Sequence, residues 1–201
     1  VMEQKSIVKL IVAGVFLIIG FIALIVAFDL VPVSGNQLGV KETWFGGVQN
    51  EPLPPRTYWV MPNERVYTYY MGLNVFTMSD TAATEDKSIV HYPAYLVQSA
   101  DSQDMHLSLK LQWSIDPAQV LKIHKTIGPK NTESLIVEKI IYPTVQRIVK
   151  DNATVHEAID IYSGEGLKNL QKAIQDSLNA ESSELHEKGI KVDNFVIEHN
   201  K

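Results

Sequence analysis

The side chains most able to do chemistry in this sequence are six histidines, at positions 91, 106, 124, 156, 186 and 199. A helical zinc site needs two of them four residues apart on one face, and no pair has that spacing. His156-Glu157-Ala158-Ile159-Asp160 opens like a zinc-protease helix but lacks the second histidine. The histidines therefore read as exposed polar side chains on strand and helix faces. The absence of cysteine excludes thiolate metal sites, cysteine nucleophiles and disulfide staples. There is no G-x-S-x-G elbow, no P-loop and no G-x-G-x-x-G turn. Gly164 and Gly166 stand close together, but no strand feeds them and no Lys-Ser/Thr follows, so they read as a loosened helix entry. Asn152-Ala153-Thr154 is a formal glycosylation sequon, equally explained by Thr154 capping a helix. A Ser–His–Asp triad would have to be assembled from distant residues with no local support. The sequence therefore offers no catalytic residue, no metal ligand and no cofactor site, and it reads as a non-enzyme.

The unusual residues are apolar ones. Leu10 to Phe28 is nineteen residues without a charge, bounded by Lys9 and Asp29. As a helix it would span about 28 Å, close to the hydrocarbon thickness of a bilayer. A cleaved signal peptide has a shorter core and a small-x-small site, and Ile25 stands two places before Ala27. A buried helix of a soluble core is rarely apolar all round. The spacing predicts a single transmembrane helix over residues 10–28, including Leu10, Gly14, Gly20, Ala23, Ala27 and Phe28. Ala23 and Ala27 form a small-xxx-small pair suited to weak helix association. Lys5 and Lys9 precede the span and no Lys or Arg follows before Lys41. That placement predicts a cytosolic (or matrix) N-terminus, with the bulk extracytoplasmic, in the periplasm or intermembrane space.

Beyond the span, Trp44 to Met61 carries Trp44, Phe45, Tyr58 and Trp59 among a Gly46-Gly47 pair and prolines at 52, 54 and 55. Prolines confine such a stretch to turns and edge strands. Its aromatics fit either the headgroup level of a bilayer or the core of the domain. Without Glu3, Lys5 and Lys9 the sequence holds 16 basic and 22 acidic residues, a net charge of −6. That balance argues against nucleic acid as a partner and against docking by a basic patch.

The elements that must position these residues follow in order. Gln37–Thr43 and Arg65–Met78 read as strands, the second interrupted at Gly72. Ile89–Val97 and Met105–Ile115 read as a hairpin, the second arm alternating apolar and polar for six repeats. Asp116-Pro117-Ala118-Gln119 starts a short helix to about Ile127. Thr132–Lys150 is a helix with a kink expected at Pro143. Thr154-Val155-His156-Glu157 reads as a capping box for a short turn. Ser163 caps the longest helix, with Leu167, Leu170, Ile174, Leu178 and Leu185 as its stripe and Gly189 as its stop. Ile190–Glu198 is a final strand with a bulge expected near Asp193-Asn194. The order predicts an α+β fold: a tail over 1–9, a membrane span over 10–28, a membrane-proximal β-rich part over 29–79, and a main domain over 80–199.

In this order the chain resembles the SPFH (Band 7, stomatin–prohibitin–flotillin) family over roughly residues 8–199. Gly35-Asn36-Gln37-Leu38-Gly39-Val40 is similar to the family's strand after the membrane, and Trp44-Phe45-Gly46-Gly47-Val48 resembles the "fGGV" of its prohibitin branch. Tyr58–Pro62 stands at its "G-h-f-x-x-P" segment. Asp101 through Pro117 is similar to its hairpin, strand and "D-P" signature. Ile140-Ile141-Tyr142-Pro143 with Arg147 resembles its kinked helix, and Gly189-Ile190-Lys191-Val192 its entry to the last strand. Arg56-Thr57-Tyr58 departs from the glycine-containing turn usual there, and the downstream coiled coil general in the family is absent from this sequence. The resemblance implies an SPFH domain and a membrane-anchored scaffold without catalysis. It implies rings or cages of the chain with itself or a homologous SPFH subunit, a membrane microdomain organised by them, and regulation or sequestration of a membrane protease. Trp44, Phe45, Tyr58 and Trp59 are then expected at the membrane interface. The alternative is a monomeric anchored module that binds a peptide or ligand; a membrane-anchored hydrolase would need a histidine cluster formed in space.

Overall fold

The computed structural model describes residues 14–20, 28–80, 89–128, 133–180 and 183–198. Its centre is one strand, β9 (Asp104–Ile115), whose alternation puts Met105, Leu107, Leu109, Leu111, Trp113 and Ile115 into the core. β10 (Ile190–Glu198) lies antiparallel along one side from Ser108 to Ile115. β6 (Asn74–Met78) lies antiparallel along the other side from Leu109 to Trp113. β7 (Ile89–Tyr92) extends the sheet as a parallel neighbour of β6, and β8 (Tyr95–Gln98) pairs with the first third of β9.

The expected hairpin is therefore only half formed. β8 and β9 make it, closed by a turn in which Ser102 takes a positive φ of 63°. The first half of the predicted arm cannot follow, because β6 and β10 occupy both sides of β9 at 109–113. Pro93, which has no N–H to give a ladder, separates β7 from β8.

The helices cover this sheet. Asp116 Oδ1 accepts from Ala118 N at 3.0 Å and opens a 3-10 turn (Pro117–Gln119) that runs into α1 (Val120–Ile127). α2 (Glu133–Ile136) passes through one π turn (Val137–Ile141) into α3 (Tyr142–Ala153). The π turn is the expected irregularity at Pro143. Tyr142 N–H reaches back to Val137 O, and the wider turn relieves the crowding a proline imposes on the turn before it.

Two further expectations need correcting. Thr154 does not open a helix; it ends α3, its N–H on Lys150 O and its Oγ1 donating to Asp151 O. The next helix, α4 (Ala158–Tyr162), is capped from 57 residues away, where Asp101 Oδ1 accepts from Ala158 N at 3.0 Å. That contact ties the β8–β9 turn to the helices, as does Ala100 N donating to His156 O at 2.8 Å. Ser163 caps α5 (Gly164–Asn179) as expected, but α5 ends ten residues before Gly189. Ala180 turns extended and Ser183 caps a separate single turn, α6 (Glu184–Glu187), which still buries Leu185. Gly189, at φ 80°, ends this separate turn and not the longest helix it was expected to stop. The bulge falls at Asp193: Val192 faces Trp113 and Asn194 faces Gln112, so Ile190, Val192, Phe195 and Ile197 are all buried.

A second, three-stranded sheet precedes the main one: β3 (Gly47–Val48), β2 (Gln37–Thr43) and β5 (Glu64–Tyr70), in that order. His124 of α1 joins the two layers, and here the reading of exposed histidines fails. The ring is 2% exposed, hydrogen-bonded through Nδ1 to the Tyr69 hydroxyl at 2.6 Å and packed on Tyr67 at 5.2 Å. Burial pushes its pKa down, opposed by the charge of Glu42. Burial and then Tyr67 push the Tyr69 hydroxyl up, so it stays protonated.

A histidine held neutral in the fold charges more readily in the unfolded chain. Its contribution to stability is present above the ordinary histidine pKa of about 6.5 and is lost as pH falls through the folded value. The unfolding midpoint should drop between about pH 7 and pH 5, and His124→Gln should flatten that drop. Ile174→Ala, in the fully buried stripe of α5, should cost about 2–5 kcal/mol in denaturant unfolding.

Candidate membrane-facing site

The first element described after the apolar stretch belongs to a two-stranded ribbon. β1 (Asp29–Pro32) pairs antiparallel with β4 (Thr57–Val60), Leu30 opposite Trp59 and Val31 opposite Tyr58. Directly opposed residues share a face, so Leu30 and Trp59 stand together. Phe28, two places before Leu30, meets Trp59 edge-on with ring centroids 6.3 Å apart. Leu30 is 50% exposed, Trp59 66% and Met61, two places on, 51%. The alternate residues turn inward: Val31 and Tyr58 are half-buried and Val60 is buried.

Tyr58 is thus not on the face with Trp59. Its hydroxyl donates to Pro54 O at 2.7 Å, and Arg56 lies over its ring at 4.6 Å. The pair braces the proline-rich loop before β4.

Trp44 and Phe45 sit at the tip of the β2–β3 hairpin, 68% and 92% exposed. Gly47 takes φ 67°, the left-handed position that closes a three-residue loop. Thr43 Oγ1 accepts from Gly46 N at 2.9 Å. The tip abuts the turn between β4 and β5, with Trp44 N donating to Asn63 O at 3.0 Å. Glu64 organises that turn: Oε2 accepts from Met61 N at 3.1 Å and Oε1 holds Lys41 Nζ at 2.5 Å. Burial alone would raise its carboxyl pKa, but the hydrogen bonds from Lys41 and Met61 and the lysine charge together hold it below the usual range.

The structure therefore gathers Trp44, Phe45 and Trp59 at one end, and adds Leu30 and Met61, which the sequence reading missed. Their signal was present as two i, i+2 pairs, Phe28/Leu30 and Trp59/Met61, but only the β1–β4 register places both pairs on one face.

Of the expected span, residues 14–20, which include Gly14 and Gly20, are helical, with Val15 to Ile19 exposed. Leu10, Ala23 and Ala27 lie outside the described residues. Among the described residues no helix is long and apolar enough to cross a membrane. Among the described residues no three His, Asp or Glu side chains cluster to hold a metal ion.

The family model for the SPFH domain / Band 7 family matches residues 31–200. This chain belongs to the SPFH domain / Band 7 family. The mixed α+β architecture, β-rich first and then helical with a closing strand, fits an SPFH domain. The family is known for membrane scaffolds, and its members are generally non-enzymatic, membrane-associated and self-oligomerising. No curated protein matches the sequence significantly.

Trp44 and Phe45 at the hairpin tip are largely exposed. Trp44→Ser and Phe45→Ser should leave the denaturant midpoint within about 0.5 kcal/mol of the parent. Gly47→Val at the same tip should cost more than about 1 kcal/mol, because a β-branched residue resists positive φ.

Proposed function

We propose that this SPFH protein is a membrane-anchored scaffold subunit. One observation carries the reading: the exposed apolar side chains of Leu30, Trp59 and Met61, with half-buried Phe28 against Trp59, begin where the charge-free stretch from Leu10 ends. A helix in the lipid would deliver that face, with Trp44 and Phe45 beside it, to the headgroup level, where indole rings are favoured. Tyr58 supports the ribbon from its inner side. The two lysines before the stretch orient the N-terminus to the cytosol or matrix and the SPFH domain to the extracytoplasmic side.

In this reading copies of the chain, or this chain alternating with a homologous SPFH subunit, pack side by side through heterologous contacts and close into a ring. Each subunit adds one anchor and one apolar face, and their weak attachments multiply. A ring of this kind organises the patch of bilayer it encloses and can sequester or regulate a membrane protease there.

Three measurements test the proposal. Quenchers attached to lipid acyl chains should quench Trp44 and Trp59 in bilayers and spare buried Trp113; no quenching of the first two removes the membrane-facing assignment. Alkaline carbonate should leave the protein on vesicles, and its release would remove the anchor. Sizing in mild detergent should give a particle of many subunits, whereas a few tens of kilodaltons would favour a monomeric anchored module that binds a peptide or ligand.

A further inference from the structure

An open cleft of about 370 Å³ lies between the apolar ribbon and strand β5, lined by Asp29, Val31, Val60, Met61, Arg65 and Tyr67. That volume falls among those of small-ligand sites, roughly 300–1,000 Å³. Its walls are apolar where they are covered: Val60 is buried, and Val31 and Val66 are half-buried. At its rim stands exposed Met61, which also belongs to the apolar face of Leu30 and Trp59.

Two opposite charges in this cleft are left over. Arg65 is exposed and, among the described residues, enters no ion pair; Glu42 faces it across the β2–β5 ladder without forming one. Asp29 is exposed as well. Its Oδ1 accepts from Leu30 N at 2.9 Å, and among the described residues the carboxylate enters no ion pair. Glu64, also in the wall, is already engaged by Lys41 and by Met61 N.

These leftovers define the occupant. A guanidinium fork matches two oxygens of a phosphate, and a free carboxylate in the same cleft matches a cation. A net anion suits the place poorly, because Lys41 and Arg65 are outnumbered by Asp29, Glu42 and Glu64. A molecule carrying both charges suits it well. A quaternary ammonium needs rings around it, and the cleft offers only Tyr67, half-buried against His124. A primary ammonium instead brings three N–H donors to a carboxylate.

We propose that this cleft holds the headgroup of a zwitterionic phospholipid, with its phosphate on Arg65 and its primary ammonium on Asp29. The inference rests on the membrane-facing reading of the ribbon, since Asp29 directly follows the charge-free stretch and so stands at headgroup depth. A lipid is favoured over a soluble zwitterion because Met61 links the mouth of the cleft to the exposed Leu30–Trp59 face, along which acyl chains can run.

The test follows the Met61 methyl NMR signal of the full chain in dodecylmaltoside micelles during titration with dihexanoylphosphatidylethanolamine. A saturable shift is expected. The choline and glycerol phospholipids of the same chain length should bind about fivefold more weakly, and free phosphoethanolamine should not saturate in the same range. Arg65→Gln should weaken binding about tenfold, and Asp29→Asn should bring the ethanolamine and choline lipids within about twofold of each other. Both side chains are exposed, so neither substitution opens the core. Absence of a saturable shift, equal binding of the choline or glycerol lipid, or an Asp29→Asn variant with the parent's preference overturns the proposal. Saturation by free phosphoethanolamine would assign a soluble ligand and overturn the lipid. A chain that resists alkaline carbonate yet shows no saturable shift loses the headgroup site alone, whereas release by carbonate removes the anchor whatever the titration gives.

Discussion

The strand β9 constrains everything else. A strand has two hydrogen-bonding sides, and between Leu109 and Trp113 both are taken, by β6 and β10. Those two strands are more than a hundred residues apart in sequence, so the chain must close a long loop before the central pairing is complete. Once it is complete, the row from Met105 to Ile115 faces the helices, and α5 and α6 can bury Leu170, Ile174, Leu178 and Leu185 against β10 and its neighbours. The parallel placement of β7 and the split between β7 and β8 follow from the same occupancy, since no side of β9 is left for them at that level.

Two joints then transmit the position of the main domain to its surroundings. One is the His124–Tyr69 hydrogen bond between α1 and the three-stranded sheet, made in a place with almost no water. A neutral histidine is favoured there because burial penalises its charge more than Glu42 supports it. The other is Asp101, which accepts from the Ser99 hydroxyl and from Ala158 N and so holds a turn and a helix start together. Its carboxyl is held below the usual range by these donors, Ser99 first. Both joints are polar contacts across long sequence separations, and both fix orientation where apolar packing alone would allow sliding.

At the other end of the chain the same logic is inverted. The β1–β4 ribbon and the β2–β3 tip spend their backbone hydrogen bonds on each other and on Glu64, and leave apolar side chains facing out. The ion pair of Glu64 with Lys41 supports the turn from below, so the exposed end is braced by charge and presented by alternation. A domain that needed Trp44, Phe45, Trp59 and Met61 for its own core would have turned them inward. Tyr58, one residue from Trp59, shows how sharply strand alternation separates a supporting side chain from a presented one.

The sequence by itself determined what is periodic and local. The alternation of β9, the stripe of α5 and its Ser163 cap, the proline-linked irregularity before α3 and the bulge at Asp193 are all written in neighbouring residues. So is the family, because its signature lies in the order of such segments. What only the tertiary structure decided is long-range: which strand claims each side of β9, that His124 is buried, that Asp101 rather than Thr154 serves α4, and that Leu30 and Met61 join Trp59. The reason is physical. A helix face or strand face is fixed by residues within a few positions, whereas a pairing register or a buried polar contact depends on which distant segment arrives, and no local pattern encodes its partner.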